Sequence, residues 1–319
     1  MARELTSRHV VYAALAANLL IAAAKAAAAF WTGSSAMMSE ALHSLVDSLN
    51  EVLLLYGQHR ASRRPDPEHP LGHGRELYFW SFIVALLIFA VGSGVSLYQG
   101  VEQLIDPHTI ENEWINYAVL AFALVFEGAS WAISLKQFHR HRGRLTFYEA
   151  FRRSKDPPSF MVLFEDSAAL LGIAIAAAGT FAATHLRKPE FDGVASLLIG
   201  MVLGGVAILL ARESKSLLIG ESASSELTHS VTAIAAKNAA VLRVNGMLTA
   251  QLAPDQIVVA LSLEFRDDVR VPELEEQVIE IENSIRRQHS EVTALFIKPQ
   301  TPKTFSESAK DRFEVEGDG

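Results

Sequence analysis

Residues 77–100 read LYFWSFIVALLIFAVGSGVSLYQG, without one charged side chain. In hydrocarbon a backbone must satisfy its own polar groups, and a continuous apolar run does so as a helix. About 20 helical residues at ~1.5 Å each cross a bilayer core of ~30 Å. This run is long enough, and five more segments match it: roughly 9–31, 36–58, 114–138, 158–184 and 191–211. The heart of the last, GVASLLIGMVLGGVAILLA, is uncharged, and WINYAVLAFALVFEGASWAISL carries only Glu127. The basic, then apolar N-terminus has the look of a signal peptide. Its apolar run continues to Trp31 with five more behind it, so it reads as a retained first helix. The expectation is an all-α membrane domain of six transmembrane helices over residues 1–211.

Loop charges orient this bundle. Arg3 and Arg8 precede the first span, and Arg60, Arg63, Arg64 and Arg75 follow the second. Lys136, Arg140, Arg142, Arg144, Arg152, Arg153 and Lys155 lie between the fourth and fifth. The opposite side offers only Arg187 and Lys188. Positive charge favours the cytoplasmic face, so both termini are expected there, in a multi-pass protein of the cell (inner) membrane. A net charge of −8 gives no support for a nucleic-acid partner.

Span two, SEALHSLVDSLNEVLLLYG, is costly to insert. Glu40, His43, Asp47, Asn50 and Glu51 recur at three- and four-residue spacing, which places them on one helical stripe. His43 and Asp47, one turn apart, can reach a common ion. Glu165 and Asp166 lie at similar depth in span five. With no cysteine in the chain, a bound metal has only imidazole and carboxylate to hold it. That set suits Zn²⁺ and also admits Mn²⁺, Fe²⁺ or Co²⁺. Lys25 and Glu127 stand alone and read as ion-pair partners or snorkelling side chains. After span two, DPEHPLGHGRE places Asp66, His69 and His73 within one proline-restricted loop. Two imidazoles four apart beside a carboxylate can chelate Zn²⁺, although the same residues also make a solvated turn. His139 and His141, inside HRHRGR, read as a solvated cationic face.

Together, His-x-x-x-Asp at His43 and Asp47, HPLGHGRE at 69–76, six spans and a C-terminal domain of about a hundred residues resemble the cation diffusion facilitator family. VLFEDSAALLG in span five resembles the branch related to the mitochondrial zinc-transporter homologue. The resemblance implies a transport site made by paired ligands on spans two and five. His43, Asp47 and Asp166 match three positions of that site, while Val162 stands at the fourth and cannot bind metal. Glu165, or water, is left to complete it. The resemblance also implies that Asp66, His69 and His73 form a second metal site.

Residues 212–305 read as a soluble α+β domain in the order α-β-β-α-β, with strands LRVNGMLTAQL, QIVVALSLEF and VTALFIKP. The helix VPELEEQVIEIENSIRRQH sets Leu274, Val278, Ile281 and Ile285 on one face. This order resembles the family's metallochaperone-like cytoplasmic domain, which implies a homodimer. Relatives hold further metals here through several histidines, whereas only His229 and His289 remain in this chain. A dimerisation role without the binuclear site is therefore expected. The polar tail from 306 to 319 is expected to be disordered.

These readings point to a secondary exporter of divalent metal, with zinc foremost, exchanging the ion for protons by alternating access. Metal is then a substrate, and no cofactor is expected. No GxxxxGK[ST] motif suggests ATP hydrolysis, and no HExxH suggests an intramembrane hydrolase, so no enzyme is expected. The rival is a membrane scaffold or metal sensor that acts through its dimeric tail without transporting.

Overall fold

The computed structural model describes residues 2–143 and 145–313. Arg144, counted above among the loop cations, and the tail beyond 313 lie outside them. The chain divides into two compact units, one formed by residues 1–60 and 76–215, the other by 61–75 and 216–319.

The first unit is helical. Helices α1 (Ala2–Thr32) and α2 (Ser35–Ala61) are joined at Gly33, whose φ of +70° suits a residue without Cβ. Helix α3 (Glu76–Leu87) runs through a π-helical stretch (Ile88–Ser93) into α4 (Gly94–Ile105). Then come α5 (Glu113–Arg142), the short α6 (Phe147–Arg153), α7 (Pro157–His185) and α8 (Glu190–Ile219). Among the described residues, four helices are long and apolar enough to cross a membrane: Glu76–Ile105, Glu113–Arg140, Pro157–His185 and Glu190–Ile219. Among the residues whose side chains are described, α1 contributes the shorter apolar helix Asn18–Thr32. Helix α2 has the length, 27 residues, but its ionisable stripe denies it the apolarity.

Packing in this unit relies on small residues and buried polar ties, as expected where lipid supplies no hydrophobic drive between helices. A side chain on Gly100 would stand 2.9 Å from the Gly193 carbonyl oxygen, so α4 and α8 meet backbone to backbone there. Asp192 of α8 caps α2: its carboxylate accepts from Ser34 Oγ (2.7 Å), Ser35 N (2.6 Å) and Ser35 Oγ (2.9 Å). Ser39 of α2 and Ser196 of α8 bond at 2.6 Å one turn further on. These ties fix the N-terminal end of α2 and hence the direction in which its stripe faces.

The second unit holds α9 (Ser225–Ala236), β1 (Val241–Ala253), β2 (Gln256–Phe265), α10 (Val271–Gln288), β3 (Val292–Pro299) and α11 (Pro302–Phe313). Its sheet order is β1-β2-β3. The pair β1–β2 is antiparallel and β2–β3 parallel, with α10 as the crossover. Val231 and Ala235 of α9 and Ile281 and Ile285 of α10 share a core with Val259, Leu261 and Leu263 of β2. Leu274 and Val278, expected on the same face of α10, are half-buried. Two features differ from the sequence reading. Helix α11 occupies residues 302–313, where disorder was expected from 306, and the Phe305 ring covers the surface left bare by Gly246. The loop 61–75 falls with this second unit rather than with the helices that flank it. Gly74 packs there against Ala253 and Gln256, at the turn between β1 and β2.

Candidate functional site

In α2 the i,i+4 spacing brings His43 Nδ1 within 3.4 Å of Asp47 Oδ1. His43 is 1% exposed. Neither of its ring nitrogens has a hydrogen-bond partner, and neither does Asp47 Oδ1. Leaving a buried polar atom unpaired costs about 1–3 kcal/mol, so three such atoms on two neighbouring side chains call for an explanation. One imidazole nitrogen, the other carrying the ring proton, and the carboxylate oxygen are donors that a divalent cation takes.

Helix α7 offers two neighbouring carboxylates that face different helices. Glu165 is buried and accepts a hydrogen bond from Asn50 Nδ2 of α2 (2.9 Å), three residues beyond Asp47. Asp166 accepts from Ser130 (3.0 Å) and Ser134 (3.2 Å) of α5. Val162, on the Asp166 side of the helix, is exposed. The rotation of α7 therefore presents Glu165, Ala168, Ala169 and Gly172 to the interior and turns the Val162–Asp166 side toward α5 and the outside. Asp47 interacts electrostatically with Glu165, Glu127 and Asp166, and oppositely with Lys25. His43, Asp47 and Asp166, expected to share an ion, do not gather into a ligand cluster. The serine hydroxyls of α5 hold Asp166, and Asn50 holds Glu165. Glu40, on the same stripe, is paired with Lys25 of α1 at 3.0 Å, and Lys25 also approaches Glu127 at 3.7 Å. The two charges that stood alone in sequence thus meet in space.

The loop site is assembled differently. Among the described residues, Asp66, His69 and His73 are the one group of three or more His, Asp or Glu side chains with ligand atoms all within 4.8 Å of one another. Asp66 Oδ1 accepts from the His69 backbone N–H (2.7 Å) and the Glu68 N–H (3.0 Å). Its two oxygens also lie 3.2 Å from His69 Nδ1 and 3.0 Å from His73 Nε2. The imidazole centroids are 4.4 Å apart. Gly72, with φ +86°, makes the turn that brings His73 back over Asp66. The His69 N–H, with help from both imidazoles, holds the Asp66 carboxyl down to about 2.

Comparison with known proteins agrees with the helical unit. Residues 11–219 match the model of the cation efflux transmembrane domain. The chain is 34% identical over 259 residues to the proton-coupled zinc antiporter SLC30A9, mitochondrial, of Xenopus laevis, covering 80% of this chain and 46% of that protein. It is 35% identical over 219 residues to metal tolerance protein C4 of Arabidopsis thaliana, covering 68% and 48%. With the manganese efflux system protein MneP of Bacillus subtilis it shares 24% identity over 296 residues, 92% of this chain and 96% of the other. The chain spans about half the length of the first two of these curated relatives.

Proposed function

The chain belongs to the cation efflux family, and we propose that it is a membrane transporter that exports a divalent metal ion through the His43–Asp47 pair in exchange for protons. The observation that carries this reading is the buried His43 imidazole on α2, with no hydrogen-bond partner at either nitrogen, beside the unpartnered Asp47 Oδ1. Helices α1 and α2 are taken as spans beside the four apolar ones, which gives six, with both termini on the cytoplasmic side.

Glu165 takes the role for which Val162 is unsuited. It is the α7 carboxylate that faces α2, and exchanging the Asn50 hydrogen bond for the ion brings it to Asp47. Asp166 joins when it leaves the hydroxyls of Ser130 and Ser134. A site whose carboxylates are held by neutral hydrogen bonds can be assembled and taken apart by a small movement of α7 against α2 and α5. Alternating access requires such a movement. Protons return on the imidazole and carboxylates once the ion has left. Zinc is the preferred cargo because the donors are nitrogen and oxygen, and because SLC30A9 is named a zinc antiporter. MneP, a manganese efflux protein by name, keeps Mn²⁺ in the comparison.

Metal-dependent proton flux in proteoliposomes, measured for Zn²⁺, Mn²⁺, Fe²⁺ and Co²⁺, tests this reading. Zn²⁺ is expected to drive the largest flux, and the absence of flux with every metal refutes export. The preassembled Asp66–His69–His73 cluster favours a second reading, a sensor acting through a dimeric C-terminal unit. Metal binding without flux is its signature.

A further inference from the structure

The proposed pathway leaves one fully buried group unused. Lys25 of α1 is 0% exposed, and its ammonium donates to Glu40 Oε2 (3.0 Å) and Ser44 Oγ (2.8 Å), with Glu127 Oε1 at 3.7 Å. The second oxygen of Glu40 is buried without a hydrogen-bond partner and lies against Gly172 of α7, where any side chain would occupy its place. This cluster therefore joins α1, α2 and α5 and touches α7. Ser44 is the neighbour of His43, and Glu40 precedes His43 by one turn. Lys25 is near enough to interact electrostatically with both His43 and Asp47.

Burying the Lys25 ammonium with the Glu40 carboxylate, beside the half-buried Glu127, is a poor way merely to hold helices together, because desolvation offsets most of their attraction. The α4–α8 contact is made without charge, through glycines. The charge acts on whatever else is charged nearby, and a divalent ion at His43 and Asp47 is the obvious object. Carboxylates attract it and a fixed ammonium repels it. A transport site must bind strongly enough to load and weakly enough to release. Without Lys25, Glu40 and Glu127 would add two free carboxylates beside the site and hold the ion there.

We propose that Lys25 is a tethered counter-cation: it occupies Glu40 and Glu127 and keeps the His43–Asp47 site weak enough to let the ion go. It is a positioning residue and does not touch the cargo. The proposal rests on the His43–Asp47 reading above.

The test uses the full chain in proteoliposomes, with Zn²⁺ as the probe and KM separated from kcat. Lys25→Gln releases two carboxylates, so KM for Zn²⁺ falls by about tenfold or more and kcat falls with it as release slows. Glu127→Gln leaves the Lys25–Glu40 pair with less opposing charge, so KM rises by about threefold or more. Lys25→Arg keeps the charge, and KM stays within about threefold of the unmodified protein. A residue that merely braces the bundle would lower the yield of folded protein without opposite movements of KM. Unchanged KM in both Lys25→Gln and Glu127→Gln, or shifts in the same direction, overturns the proposal. If Lys25→Gln does not fold, an unchanged KM in Glu127→Gln does so alone. Unmodified flux in His43→Ala/Asp47→Ala would instead overturn the underlying site, a result that does not depend on the Lys25 series.

Discussion

The loop and the stripe of α2 use the same side chains to opposite ends. In the loop, Asp66, His69 and His73 are already gathered, with the carboxylate bonded to both imidazoles and to two backbone N–H groups. On α2, His43 and Asp47 stand together with unpartnered atoms, and their prospective partners on α7 are bonded elsewhere. A preassembled chelate with one exposed flank suits an ion that stays. A dispersed set, completed by moving one helix, suits an ion that passes. Residue type alone does not distinguish the two; the hydrogen bonds that hold the side chains do.

The largest effect that can break this comparison is the loss of transport. His43→Ala/Asp47→Ala is expected to lower Zn²⁺ flux in vesicles by about a hundredfold or more, the scale of an interaction made in the rate-determining step. His69→Ala/His73→Ala should keep flux within a few-fold while removing one bound Zn²⁺ in equilibrium dialysis. The reverse pattern would exchange the two roles. Next in size, Glu165→Gln should slow initial rates by about tenfold, and more than Asp166→Asn does, because only Glu165 faces α2. A larger loss from Asp166→Asn would return the site to the side of α7 that carries Val162.

The pattern of legible and hidden features follows from where each signal resides. Strand β2 (Gln256–Phe265) and strand β3 (Val292–Pro299) begin and end where alternation and β-branched residues place them in the sequence. The spacing of His43 and Asp47 on one helix was equally plain. The facing of Glu165 and Asp166 was not, because the rotation of α7 is set by Asn50 of α2 and by two serines of α5. Lys25 and Glu127 looked isolated, since an ion pair between helices leaves no local pattern. Helix α11 hid in a polar tail because its anchor is Phe305 on Gly246, a contact between distant positions. The loop 61–75 was assigned to the helices on either side of it. Its packing partner, the β1–β2 turn, comes nearly two hundred residues later.

Smaller effects sharpen the comparison on the loop side. Asp66 in the folded loop titrates below the ~3.9 of an unperturbed aspartate. Its carboxylate therefore stabilises the loop above about pH 4, and that contribution is lost as pH falls through about 2. A carboxyl carbon titration by NMR on the detergent-solubilised protein should give a midpoint of about 2. A midpoint at the ordinary aspartate value would mean that the loop does not close on Asp66. Smallest of all, Ser224→Ala removes the hydroxyl that accepts from the Leu227 N–H at the start of α9. It should lower the stability of the second unit by about 1 kcal/mol in chemical denaturation and leave flux unchanged.

The central claim is that the ion in transit is held by the imidazole of His43 and by carboxylates. Zinc K-edge X-ray absorption on the full chain carrying His69→Ala/His73→Ala tests it most directly. Zinc is expected still to bind, with a single imidazole in a shell otherwise made of oxygen, and His43→Ala is expected to remove that imidazole signal. Zinc that no longer binds once the loop histidines are gone, or a spectrum indifferent to His43→Ala, would contradict it.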